Sequence, residues 1–101
     1  MTKSELLSVL KEKLPEFQQK DVELAINCMF TQMENALVEG QRIEIRGFGS
    51  FDLHHLGSRL GRNPKTGETI NLQPRTLVHF KPGKEMKTRV NESRDKYKIS
   101  Q

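Results

Sequence analysis

The sequence has no tryptophan, one tyrosine and one cysteine in 101 residues. A lone thiol, Cys28, excludes an intrachain disulfide framework and fits a reducing compartment. It lies off the nearby apolar stripe and has no neighbouring Cys or His to complete a metal set. No run of about 18 apolar residues occurs, so no transmembrane helix is expected. The opening Met1-Thr2-Lys3-Ser4-Glu5 lacks an apolar signal core, which points to a cytoplasmic protein. Scarce aromatics also weaken the case for an RNA-binding module, which stacks bases on exposed rings. The five phenylalanines fall mostly on core-like positions.

What is present is charge, unevenly placed. The chain carries a net charge of +4. Residues 1–40 hold four lysines against seven acids, whereas residues 41–91 hold ten Arg or Lys against Glu44, Asp52, Glu68 and Glu85. A mildly acidic half joined to a strongly basic half suggests a scaffold attached to a polyanion-binding surface. Basic surface that serves only solubility is the plainer alternative. A chain of this length forms one small domain with a modest core, a size at which oligomerisation commonly supplies missing burial.

The acidic half reads as two helices. Thr2 and Glu5 have capping-box spacing; Leu6, Leu7, Leu10 and Leu14 then recur at helical intervals until Pro15 stops the pattern. A second helix begins near Gln19 or Lys20. Its stripe of Val22, Ala25, Ile26, Met29, Phe30, Met33, Ala36 and Leu37 runs about five turns, and Gly40 suits its C′ position. Two such helices cannot enclose Phe30 and the methionines alone, so the stripe reads as core or subunit interface.

The basic half reads as strands. Arg42-Ile43-Glu44-Ile45-Arg46 alternates strictly, with both isoleucines on one side and the charges on the other. Gly47-Phe48-Gly49 is a turn, Ser50–His54 resumes the strand pattern, and Thr76–Phe80 is a third strand. Lys81-Pro82-Gly83 leads into a short helix over about Lys84 to Val90. The sheet is expected to carry helices on one face and leave the other to a partner. The tail from Glu92 to Gln101 is polar, with Tyr97 and Ile99 as its only apparent contacts. Between the second and third strands lies Ser58–Glu68, with Arg59, Arg62 and Lys65, two glycines and Pro64. Read alone, it is a flexible hairpin or an arm that reaches something anionic.

Three separated motifs, Ile45–Phe51, Gly61–Gly67 and His79–Lys84, resemble those of the bacterial HU/integration host factor family, and the resemblance runs from Thr2 to about Asn91. It implies an α+β fold: a helical hairpin base, a three-stranded antiparallel sheet, an extended β-ribbon arm and a short C-terminal helix, assembled as an intertwined dimer. The implied domain covers 1–91, with 1–40 for dimerisation, 41–54 and 75–81 as a saddle, 55–74 as the arm and 82–91 as the last helix, followed by the tail 92–101. The implied function is to bind duplex DNA in the minor groove and bend it, serving recombination, replication, transcription and translation control in the nucleoid. Pro64 corresponds to the wedge between base pairs. Arg59, Arg62, Asn63, Lys65 and Thr66 correspond to arm positions at the groove, and Arg42, Glu44 and Arg46 to the saddle. Arg75 and Lys81 belong to the same DNA-binding set, and Lys3 and Lys84 correspond to positions near flanking DNA. The expected partner is a related alpha subunit or a second copy, and no cofactor or metal is expected.

The residue chemistry fits that implication. Minor-groove floors present acceptors that suit cationic donors, and a proline wedge is rigid, apolar and free of an amide hydrogen. An HU-like protein with little sequence preference is the nearest alternative; Glu44, Arg46 and Arg62-Asn63 favour site preference. An enzyme is a third reading, since Asp52, His54, His55 and His79 could supply acid–base or metal chemistry. Alternation puts His54 and His55 on opposite faces, and no recognised spacing links them to His79, so these are expected to be surface or groove-rim side chains.

Overall fold

Thr2 caps the first helix as its spacing predicts. In the computed structural model, which describes residues 1–98, α1 spans Lys3–Lys13. The Thr2 hydroxyl accepts the Glu5 amide at 3.2 Å, and Glu5 lies in the first turn, where the helix dipole favours an acid. The helix closes at Leu14, whose amide donates to Leu10 O at 3.0 Å, immediately before Pro15. α2 runs from Gln19 to Val38, and Gly40 beyond it adopts φ +80°, a conformation that a side chain would strain.

These two helices make up one compact unit, Met1–Glu39. An ion pair of 3.5 Å joins Lys11 to Glu23, exposed enough to contribute little. Among the described residues Val22 is the only buried apolar side chain. Leu10, Leu14, Phe17, Val22, Ile26 and Met29 line an open apolar groove. Phe17, Leu24 and Met29 are each more than half exposed. The wide stripe is present, and the two helices of this unit do not cover it by themselves.

The second unit starts at Gly40. Its antiparallel sheet has the order β1 (Ile43–Ile45), β2 (Gly49–Leu56), β5 (Arg75–Pro82). The β1–β2 turn places Gly47 at φ +82°, and the Phe48 amide donates to Ile45 O at 3.0 Å. Gly49 must lack a side chain: a Cβ there would lie 2.6 Å from Lys81 O and 2.7 Å from Phe80 Cζ. Ile43, Phe51 and Phe80 share one face through the pairs Ile43↔Phe51 and Phe51↔Phe80. The Phe80 ring lies 4.8 Å from Phe51 and 5.5 Å from Phe48 between centroids. The Gly83 amide donates to Phe48 O at 2.9 Å, tying the end of β5 to this turn, and α3 (Lys84–Glu92) follows.

β2 and β5 are each eight residues long, longer than their apolar alternation, because backbone pairing continues past His54 and Phe80. The two-stranded ladder β3 (Arg59–Arg62) with β4 (Thr69–Leu72) is separate from the main sheet. Gly57-Ser58 and Gln73-Pro74 interrupt the ribbon; Pro74 has no amide to offer a ladder. Four of the five phenylalanines (17, 30, 48 and 80) are exposed, against the core-like reading of their spacing, because each apolar face outgrows the layer that its own unit supplies. No helix among the described residues is long and apolar enough to cross a membrane. Tyr97 is exposed, and Ile99 lies outside the described residues.

Candidate nucleic-acid interface

The charged alternation of the first strand is completed by its neighbours. Glu44 pairs with Ser50, and Ser50 pairs with Lys81. Residues opposite one another share a face, so Glu44, Ser50, Asp52, His54, Lys81, His79 and Arg75 stand on one side of the sheet. Arg42, Glu44, Arg46, Ser50, Lys81 and Lys84 line one open concavity of about 550 Å³. The structure therefore gathers five of the expected contact residues in one place. Lys81 and Lys84 are joined to the β1 charges by sheet register, not by proximity in sequence.

The arm ladder has its own logic. Gly61 pairs with Ile70, and a Cβ at Gly61 would meet Leu72 Cδ1 at 2.9 Å, so the glycine lets Leu72 close over the strand. Beyond Arg62↔Thr69 the chain turns through Asn63-Pro64-Lys65-Thr66-Gly67-Glu68. The Asn63 amide donates to Glu68 O at 2.8 Å, and the Gly67 amide donates to Asn63 O at 2.7 Å. Asn63 Oδ1 accepts the Lys65 amide at 2.9 Å, an Asx-turn that spans Pro64. Thr66 Oγ1 accepts the Glu68 amide at 3.3 Å, and Gly67 takes φ +74°. Pro64 is thereby held exposed at the extremity of a hydrogen-bonded tip, with Lys65 and Thr66 beside it. Asn63 is half-buried and uses its side-chain oxygen in the turn.

The cations are free to act on a ligand. Arg42, Arg46, Arg59, Arg62, Lys65, Arg75, Lys81 and Lys84 are all exposed. Among the described residues, the ion pairs are Lys11–Glu23, His54–Asp52, His79–Asp52 and Arg94–Asp95, and none of these eight is involved. Arg59 and Arg75 line a smaller concavity where the ribbon is interrupted. Lys3 belongs to the other unit, where its Nζ lies 5.9 Å from the Phe30 ring centroid.

Two things were not visible in the spacing. Ser50 is a buried polar residue at the floor of the charged face, masked in the sequence by the glycine–phenylalanine turn around it. Asp52, His54 and His79, read as unconnected surface groups, are brought together by the β2–β5 register. His55 points the other way and pairs with Thr76 Oγ1 at 2.8 Å.

Comparison with known proteins agrees with this geometry. An integration host factor subunit beta from Pseudoalteromonas atlantica is 58% identical over 91% of this chain and 96% of its own length. One from Hahella chejuensis is 55% identical over 92% and 95%. An HU–DNA cocrystal structure from Anabaena matches with a TM-score of 0.76 at 29% identity, covering 89% of this chain and 97% of that one. The family described as bacterial DNA-binding protein matches residues 1–91, and the chain belongs to that family.

Proposed function

We propose that this chain is one subunit of a dimeric architectural protein that binds duplex DNA through the minor groove and bends it sharply. One observation carries the reading: eight exposed cations without ion pairs among the described residues lie on a sheet face and on a ribbon whose tip presents a proline. Pro64 is the wedge. Arg59, Arg62, Asn63, Lys65 and Thr66 serve the groove around it; Arg42, Glu44, Arg46, Arg75, Lys81 and Lys84 form the saddle, and Lys3 meets flanking DNA. Asn63 acts chiefly by holding the tip turn, since its side-chain oxygen already accepts Lys65 N.

Energetics require two copies of the arm. Unstacking a base step costs on the order of a few kcal/mol, and bending 20–30 base pairs costs about 1–6 kcal/mol or more. Cations that release counterions on both flanks offset that cost. The exposed stripe of α1 and α2 supports dimerisation, because a stable chain needs more than Val22, the only buried apolar side chain among the described residues, for its core. The names of the relatives favour a related alpha subunit as partner, with a second copy as the alternative. Residues 1–91 form the working domain, with 55–74 as arm and 41–54 plus 75–81 as saddle.

The protein acts by shape and charge, without catalysis, in the cytoplasmic nucleoid. Mobility-shift binding to matched and scrambled A·T-rich duplexes tests the reading, with this chain alone and mixed with an alpha-type partner. Retardation of both duplexes, with preference for one, supports it. Equal retardation of both favours the HU-like form, and no retardation in either mixture refutes it.

A further inference from the structure

The charged face of the sheet holds three further side chains to which the proposed DNA contacts assign no role. Asp52 stands opposite His79 in the β2–β5 ladder, and His54 is two residues on from Asp52, so all three share one face. The imidazoles stack with centroids 4.4 Å apart and planes 13° from parallel. His54 Nε2 is 3.5 Å and His79 Nδ1 is 3.6 Å from the same atom, Asp52 Oδ1. That oxygen is almost wholly withdrawn from solvent and has no hydrogen-bond partner among the described residues, although the Asp52 side chain as a whole is 36% exposed. An acceptor withdrawn from water whose only polar neighbours are two imidazole nitrogens at long range is poorly satisfied, and native proteins rarely leave one so. A cation held between the three groups would satisfy it.

The spacing suits a metal. One ligand atom from each residue lies within 4.8 Å of the others. A tetrahedral ion with ligands at about 2.0–2.1 Å needs its donors roughly 3.3 Å apart. Both aspartate–histidine distances are within a few tenths of an ångström of that. Both histidine side chains are about half exposed, so they have room to turn out of the stack, as their in-plane nitrogen lone pairs must in order to converge on one ion, and the outer side stays open to a fourth ligand. Two imidazoles and one carboxylate are a donor set for borderline first-row ions, unlike the all-oxygen sets of Mg²⁺ and Ca²⁺.

We propose that Asp52, His54 and His79 form a binding site for a divalent transition-metal ion of the Zn²⁺ type, joining β2 to β5 with one coordination position open on the charged face. Metal binding to the free protein does not depend on the DNA reading, so the two can fail separately.

The test is calorimetric titration of Zn²⁺ into the tag-free full chain without DNA. One equivalent per chain is expected, weakened at least about tenfold by Asp52→Asn, His54→Ala or His79→Ala, a loss that removal of even an outer-sphere partner often reaches. His55→Ala and Cys28→Ser should leave the affinity unchanged, since His55 faces away and Cys28 lies in the other unit. The ring protons of His54 and His79, followed by magnetic resonance in the unsubstituted protein, should shift on metal addition while those of His55 stay in place. No saturable binding overturns the proposal. So does binding that survives His79→Ala, that is lost with His55→Ala or Cys28→Ser, or that shifts all three histidines alike.

Discussion

Replacing Arg62 by alanine should flatten the salt dependence of DNA binding by a calculable amount. Arg62 ends β3 opposite Thr69, its side chain is exposed, and it joins no ion pair among the described residues. The substitution removes one cation and keeps the backbone pairing, so far-ultraviolet circular dichroism should not change. Each phosphate contact contributes about −0.9 to the slope of log K against log salt. If about half of the sixteen exposed cations of the proposed interface in a homodimer reach phosphate, the parent slope is near −7. Arg62→Ala then shallows it by about 0.9 in a heterodimer and about 1.8 in a homodimer. Between 50 and 200 mM salt the variant should lose about 3.5-fold or 12-fold less affinity than its parent, respectively. Fluorescence anisotropy of a labelled duplex across a potassium chloride series measures both slopes. Lys13→Ala, at the end of α1 in the other unit, serves as the control with an unchanged slope. Parallel lines for Arg62→Ala and its parent would show that Arg62 is not at phosphate, and a flattened control would show that the effect is net charge alone.

Other outcomes follow from the same geometry. Pro64→Ala should keep most of the affinity and reduce the bend, because the tip turn is held by Asn63 and Gly67 while only the proposed wedge is lost; gel phasing of the bound duplex reads the angle, and an unchanged angle removes the wedge role. The melting temperature should rise about 3–6 °C per tenfold increase in protein concentration, as expected for a dimer of this size; a constant midpoint with a monomeric sedimentation mass contradicts the exposed-stripe argument. Gly49→Ala should destabilise by about 1–3 kcal/mol in denaturant titration, since its Cβ would collide with Phe80 and the Lys81 carbonyl; a neutral effect would show that the β2–β5 contact yields freely.

The regions of the fold that local chemistry dictates were legible in the sequence. Thr2 with Glu5 marked the start of α1, Pro15 its end and Gly40 the end of α2, because caps and breakers act within a few residues. The alternation of Arg42–Arg46 exposed the charged face for the same reason. What depends on register was not legible. Nothing in the spacing of His79 places it opposite Asp52, since that pairing is set by where the β2–β5 ladder begins, at Gly49↔Pro82. The break of the ribbon at Gly57-Ser58 and Gln73-Pro74 was likewise hidden, because a proline near a strand end is compatible with either a turn or an edge. The phenylalanines misled, as helical or alternating spacing reports which face is apolar and not what covers it. The assignment of Pro64 as a wedge came from resemblance; the tip hydrogen bonds supply the reason that it stays presented.

The central claim is that this chain, paired through its helical stripe, bends duplex DNA. Energy transfer between dyes on the two ends of a duplex of about 30 base pairs tests it most directly, with saturation of binding checked by anisotropy in the same sample. Bending predicts a large rise in transfer as the complex saturates, smaller with Pro64→Ala. A saturated complex whose end-to-end transfer equals that of free DNA would contradict the account.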